Sequence, residues 1–129
     1  MIKIGFTLNI FNPLKYRSIS LTMTQLNTDP PVLNILQNDF NITISSEYVA
    51  VGRYRITFTD ELLIDRTKAV YFFGDPRSKD SPVIINVDSA QTNNFGVDFK
   101  VYDTNTGTEI NSDGNIGLID TYFEFRLYY

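Results

Sequence analysis

Apolar and polar residues alternate with a period of two over most of this chain. That pattern restricts it to a fold built from strands with one buried and one wet face. Ile19, Leu21 and Met23 alternate with Ser18, Ser20, Thr22 and Thr24. Phe40, Ile42 and Ile44 alternate with Asn41, Thr43 and Ser45, and Tyr54, Ile56 and Phe58 with Arg53, Arg55, Thr57 and Thr59. Further on, Phe95, Val97, Phe99 and Val101 alternate with Gly96, Asp98 and Lys100, and Phe123, Phe125 and Leu127 with Glu124 and Arg126. Two more runs, Lys68 to Phe73 and Val83 to Val87, are apolar on both faces and predict central or interface strands.

Turn residues separate these runs. Asn12-Pro13, Asp29-Pro30-Pro31, Gly74-Asp75-Pro76, Ser81-Pro82, Asn93-Asn94 and Asp113-Gly114 each stand between apolar segments. Short strands broken in this way predict an all-β antiparallel sandwich, jelly-roll or immunoglobulin-like, of about 7–9 strands. Val32 to Leu36 reads as an edge strand or one helical turn, and Asp60 to Asp65 as a turn or a short helix. A chain of 129 residues suffices for one such domain and its core, so residues 16–129 are expected to form the sandwich.

Residues 1–15 are read separately. Ile2, Ile4, Phe6, Leu8 and Ile10 alternate with Lys3, Gly5, Thr7 and Asn9 before Asn12-Pro13 ends the pattern. This segment fits a first strand of the same sandwich, or an extended arm that adds to a neighbouring subunit's sheet. It has neither the apolar run nor the small-residue site of a signal peptide. No stretch approaches the length of a membrane-spanning helix.

Composition narrows the chemistry. The chain has no His, which removes the commonest general base and metal ligand, and no Cys, which excludes disulfides and metal–thiolate sites. A Ser-His-Asp triad is therefore impossible. Two carboxylate pairs, Asp60 with Glu61 and Asp98 with Glu124, have the residue types for glycoside hydrolysis. The last two fall on the polar side of alternating strands, where Lys100 and Arg126 are the expected cross-strand partners. The stretch from Asp103 to Asn115 is rich in oxygen ligands, but Thr108 stands where a calcium loop needs Gly, and no glutamate follows at the closing position. A turn-forming polar loop is the simpler reading, and no metal or cofactor is expected. The net charge is −4, which gives no long-range attraction to nucleic acid or an anionic membrane.

Aromatic residues make up 14% of the chain, and their clustering decides where contacts are sought. Tyr71, Phe72 and Phe73 are consecutive, and Tyr122 and Tyr128 fall opposite the core-directed Phe123, Phe125 and Leu127. The second face of an antiparallel strand is ordinarily polar, so tyrosines there predict contact with another chain or a ligand. Ile4, Phe6, Leu8, Tyr71, Phe73, Tyr122 and Tyr128 are the expected interface residues.

The order of motifs from Pro30 onward resembles a family. Pro31-Val-Leu-Asn-Ile-Leu36, Gly52-Arg-Tyr-Arg-Ile-Thr-Phe58, Thr67-Lys-Ala-Val70, Ile85-Asn-Val87, Phe95-Gly-Val-Asp98 and the closing Phe123-Glu-Phe-Arg-Leu-Tyr128 are similar to motifs of small β-sandwich virion proteins. These are the head-fibre and capsid-decoration proteins of bacteriophages infecting Bacteroidetes, crAss-like phages included. The resemblance covers about three quarters of the chain by motif order. It implies a non-enzymatic virion component, commonly a homotrimer, located in the particle and attached to other virion proteins such as the major capsid protein. The competing expectations are a carbohydrate-binding sandwich module or tail-associated adhesin that takes a host surface glycan, and, ranked last, a small hydrolase.

Overall fold

The computed structural model describes residues 15–88 and 92–129. Two antiparallel sheets pack face to face. The first carries β1 (Tyr16–Thr24), β2 (Val32–Asn38), β5 (Ala69–Phe73) and β9 (Thr121–Tyr128), in the order β2-β1-β9-β5. The second carries β3 (Ile44–Ala50), β4 (Arg53–Phe58), β6 (Val83–Val87) and β7 (Gly96–Asp103), in the order β3-β4-β7-β6, with the short β8 (Thr108–Glu109) paired to the end of β7. The expected sandwich class is observed. Of the arm expected at residues 1–15, residues 1–14, with Ile4, Phe6 and Leu8, lie outside the described residues.

The period-2 pattern produces the two layers directly. Ile19, Leu21, Met23, Phe123 and Phe125 point inward from the first sheet and are almost fully buried. Tyr54, Ile56, Phe58, Val97, Phe99 and Val101 meet them from the second. Rings interlock across the layers: Phe58 and Phe125 have centroids 5.3 Å apart, and Phe73 and Phe99 5.2 Å. Each fully buried large side chain contributes roughly 1.5–3 kcal/mol, which is how the layers hold without a disulfide.

Two expectations change. First, among the described strands the runs apolar on both faces are not central: β5 and β6 stand at the ends of their sheets, and the second apolar face of each is partly exposed. Val70, Phe72 and Ile84 are 37%, 40% and 50% exposed. Second, alternation at Phe40 to Thr43 does not extend a strand. Asn38 Nδ2 donates to the Ile42 carbonyl, Asp39 Oδ2 accepts from the Ser18 amide, and Asn41 takes a left-handed φ of 54°. These side chains make a turn, and the strand begins only at Ile44. Where two alternatives stood open, the 32–36 stretch is an edge strand among the described strands, and residues 60–65 form turns leading into a single 3-10 turn at Arg66–Lys68 that Asp65 caps through the Thr67 amide.

Candidate functional site

The outer face of the first sheet carries aromatic and charged groups side by side, pointing away from the core. β9 runs down its middle. Because Phe123 and Phe125 face inward, Tyr122, Glu124, Arg126 and Tyr128 must face outward. Pairing with β1 sets Tyr16 opposite Tyr128, Ser18 opposite Arg126 and Ser20 opposite Glu124. Pairing with β5 sets Val70 opposite Arg126 and Phe72 opposite Glu124. Gln37 of β2 extends the Ser20 row.

Arg126 organises this face. Its guanidinium carbon lies 4.7 Å from the Tyr16 ring centre and 4.6 Å from that of Phe72, bridging three strands by cation–π contact. Its Nε donates to Glu124 Oε2, and the Tyr122 hydroxyl donates to Glu124 Oε1 at 2.8 Å. Burial pushes the Glu124 carboxyl upward, but hydrogen bonds from Arg126 and Tyr122 outweigh it and leave the pKa below the ordinary carboxylate value. The Tyr122 phenol is raised, first by burial and then by its hydrogen bond to that carboxylate. Tyr16 and Tyr128 rings sit 5.1 Å apart at the end of the row.

The Glu124–Arg126 row divides the face. Toward β5, which pairs only with β9 among the described strands, lies an apolar strip formed by Val70 and Phe72. Toward β2 lies a cavity of about 360 Å³ between Tyr16, Gln37, Asp39, Tyr122, Glu124 and Arg126, with Ser18 and Ser20 also in its lining. Both serines are nearly buried and point outward from a central strand, so the lining there is small, polar and rigid. Asp39 stands at the rim. The Gln37 side-chain amide, the Ser18 backbone amide and the Ser18 hydroxyl all donate to it and hold its carboxyl below the ordinary value.

The expected interface residues divide. Tyr122 and Tyr128 do face outward. Tyr71 and Phe73 do not: they turn into the core, Tyr71 stacking on Phe125 at 5.8 Å and Phe73 lying 5.0 Å from Phe123. The outward aromatic of β5 is Phe72, because Ala69, Tyr71 and Phe73 occupy the inward positions. Reading residues singly missed Tyr16, Gln37 and Asp39, and named Arg126 only as an expected carboxylate partner on the wet face of β9.

The weighed carboxylate pairs do not assemble. Asp98 and Glu124 sit on outer faces of different sheets. Neither carboxylate takes the expected cross-strand partner: Glu124 pairs with Arg126 two residues along the same strand, and Asp98 pairs with Arg55, whose Nη2 donates to Oδ2 at 2.9 Å. Lys100 instead reaches Asp88, at 3.7 Å. Arg53–Glu109 and Arg55–Glu47 complete a lattice of ion pairs over the second sheet. Asp60 and Glu61 stand in an exposed loop. In the 103–115 stretch the acids serve the backbone: Asp103 accepts from Ser81 and the Asn105 amide, and Asp113 from the Asn115 and Ile116 amides. Among the described residues no cluster of acidic side chains could hold a metal ion, and no helix is long and apolar enough to cross a membrane.

Compared with protein-family models, curated proteins and solved structures, the chain matches none.

Proposed function

We propose that this chain is a non-enzymatic assembly domain, a head-fibre or capsid-decoration subunit of a bacteriophage virion, that self-associates through the outer face of its first sheet. The observation that carries the self-association is the strip at β5. In a sheet facing only water the outer face is polar. Here Val70 and Phe72 stand 37% and 40% exposed beside Tyr16, Arg126 and Tyr128, on a strand whose backbone edge is unpaired among the described residues. Aromatic residues with an arginine among them are the composition of interface centres. The motif resemblance of residues 30–129 supports the virion setting, and an interlocked sandwich with its backbone paired in two sheets suits a particle surface.

Light scattering tests this reading. The purified chain is expected at three times the 14.8 kDa chain mass, and a Phe72→Ser, Tyr128→Ser variant at the single-chain mass. A wild-type monomer would remove self-association from the reading.

A second reading, a carbohydrate-binding module, is favoured by the polar cavity on the β2 side of the same face.

A further inference from the structure

We infer that the cavity between β2, β1 and β9 binds one pyranose ring of a neutral glycan, a hexose or an N-acetylhexosamine. The inference rests on the second reading above and names its ligand.

Four observations carry it. The cavity, about 360 Å³, lies at the small end of the range for ligand sites, which suits a single ring. Its lining is polar, unlike the largely apolar pockets that take drug-like molecules. Gln37, Asp39, Glu124 and Arg126 present planar amide, carboxylate and guanidinium groups, the groups that pair with adjacent hydroxyls. Tyr16 and Tyr122 supply aromatic surface for the C–H face of a sugar.

The polar groups are also set in place before any ligand arrives. Gln37 and Ser18 fix Asp39, while Tyr122 and Arg126 fix Glu124. Arg126 is itself held between two rings. Little side-chain freedom remains to be lost on binding.

Charge decides the class. The lining holds two carboxylates and one guanidinium, and that guanidinium is already engaged by Glu124. A sialic acid, uronic acid or phosphate would face the Asp39 and Glu124 carboxylates without a free cation among the lining groups. A peptide strand is also disfavoured, because the cavity lies over β1 and β9, where both neighbouring strands already take the backbone groups.

Saturation-transfer NMR on the full chain tests the assignment, with methyl α-mannoside, methyl β-galactoside, methyl β-glucoside, N-acetylglucosamine, N-acetylneuraminic acid and lysine methyl ester as separate probes. At least one neutral pyranose is expected to receive saturation on its ring protons, with a dissociation constant of about 1 mM, the affinity that a dozen or so heavy atoms can supply. Gln37→Ala, an exposed position, and Tyr122→Phe are each expected to weaken that binding at least about tenfold. Ile84→Ser, on the outer face of the other sheet, leaves it unchanged.

No transfer to any neutral pyranose would overturn the inference, as would tighter binding of N-acetylneuraminic acid or of lysine methyl ester, or equal binding by the Gln37 and Tyr122 variants. Because light scattering reports on self-association and saturation transfer to Gln37→Ala on the cavity, the failure of either leaves the other measurable.

Discussion

The Tyr54 hydroxyl donates a 2.8 Å hydrogen bond to Gln25 Oε1 in the centre of the molecule, where both side chains are fully buried. Tyr54 belongs to the second sheet and Gln25 follows the last residue of β1 in the first. The same Oε1 accepts from the Ser112 amide, and Gln25 Nε2 donates to the carbonyls of Asn27 and Asp29. One glutamine thus ties both layers and two loops together. Buried polar groups cost most when only one partner is removed. Gln25→Ala is therefore expected to lose about 2–4 kcal/mol and Tyr54→Phe about 1–2 kcal/mol, read from urea unfolding. Equal losses would show that the tyrosine alone carries the network.

The pH limits follow from groups of opposite sign. Burial, then the neighbouring Tyr48, raises the Tyr54 phenol above its ordinary 10.0. A raised folded value means full stability below 10.0, lost as pH climbs past it. Hydrogen bonds to Asp103 from Ser81, to Glu109 from Arg53 and to Asp113 from the Asn115 amide hold those carboxyls below their ordinary 3.8, 4.5 and 3.8. Their contribution is present above those values and is lost as pH falls through the lower folded ones. Unfolding free energy is expected to be flat at neutral pH and to drop on both sides. Tyr54→Phe should flatten the alkaline side only.

Gly117 takes a φ of 110°, and a Cβ built there would fall 2.1 Å from Ser112 Oγ. Ser112 cannot retreat, since its Oγ accepts from the Leu118 amide and its own amide is bound to Gln25. Gly117→Ala is expected to cost about 2 kcal/mol or more, through backbone strain and displacement of the serine. Gly107→Ala also meets a left-handed backbone, with a φ of 70°, but its Cβ would meet nothing within 4 Å. It should cost less in the same thermal melt.

Tyr71 and Phe72 are neighbours in sequence and face opposite ways. Tyr71→Ser removes a ring stacked on Phe125, so it is expected to lower stability by about 2–4 kcal/mol. Phe72→Ser should lower stability little and reduce oligomer mass instead. Unfolding curves and light scattering on the two variants separate the roles.

The strands were legible wherever inward and outward residues differ strongly in polarity, as along 18–24, 53–58 and 121–128. Phe40 to Thr43 misled because local alternation cannot show that Asp39 is already engaged by the Ser18 amide, 21 residues away. Tyr71 and Phe73 misled for a related reason. In a strand apolar on both faces the period no longer says which face is inside, and only pairing with β9 decides it. The candidate site was barely readable. Tyr122 and Tyr128 could be found from β9 alone, but Tyr16, Gln37 and Asp39 come to Arg126 only through strand register. The order β2-β1-β9-β5 is a long-range outcome that no local pattern encodes.

Placing β9 between β1 and β5 has a consequence for how the chain reaches this state. Within its sheet β5 pairs only with β9 among the described strands. Among the described strands, its backbone groups have no partner until residues 121–128 have been synthesised, about fifty residues later at the pace of translation. Until then β5, with Phe72, is without a partner among those strands. Closing a loop of that span is slow relative to forming a hairpin, so β9, the latest of the described strands to be made, is also the one that ends the exposure of β5 to aggregation.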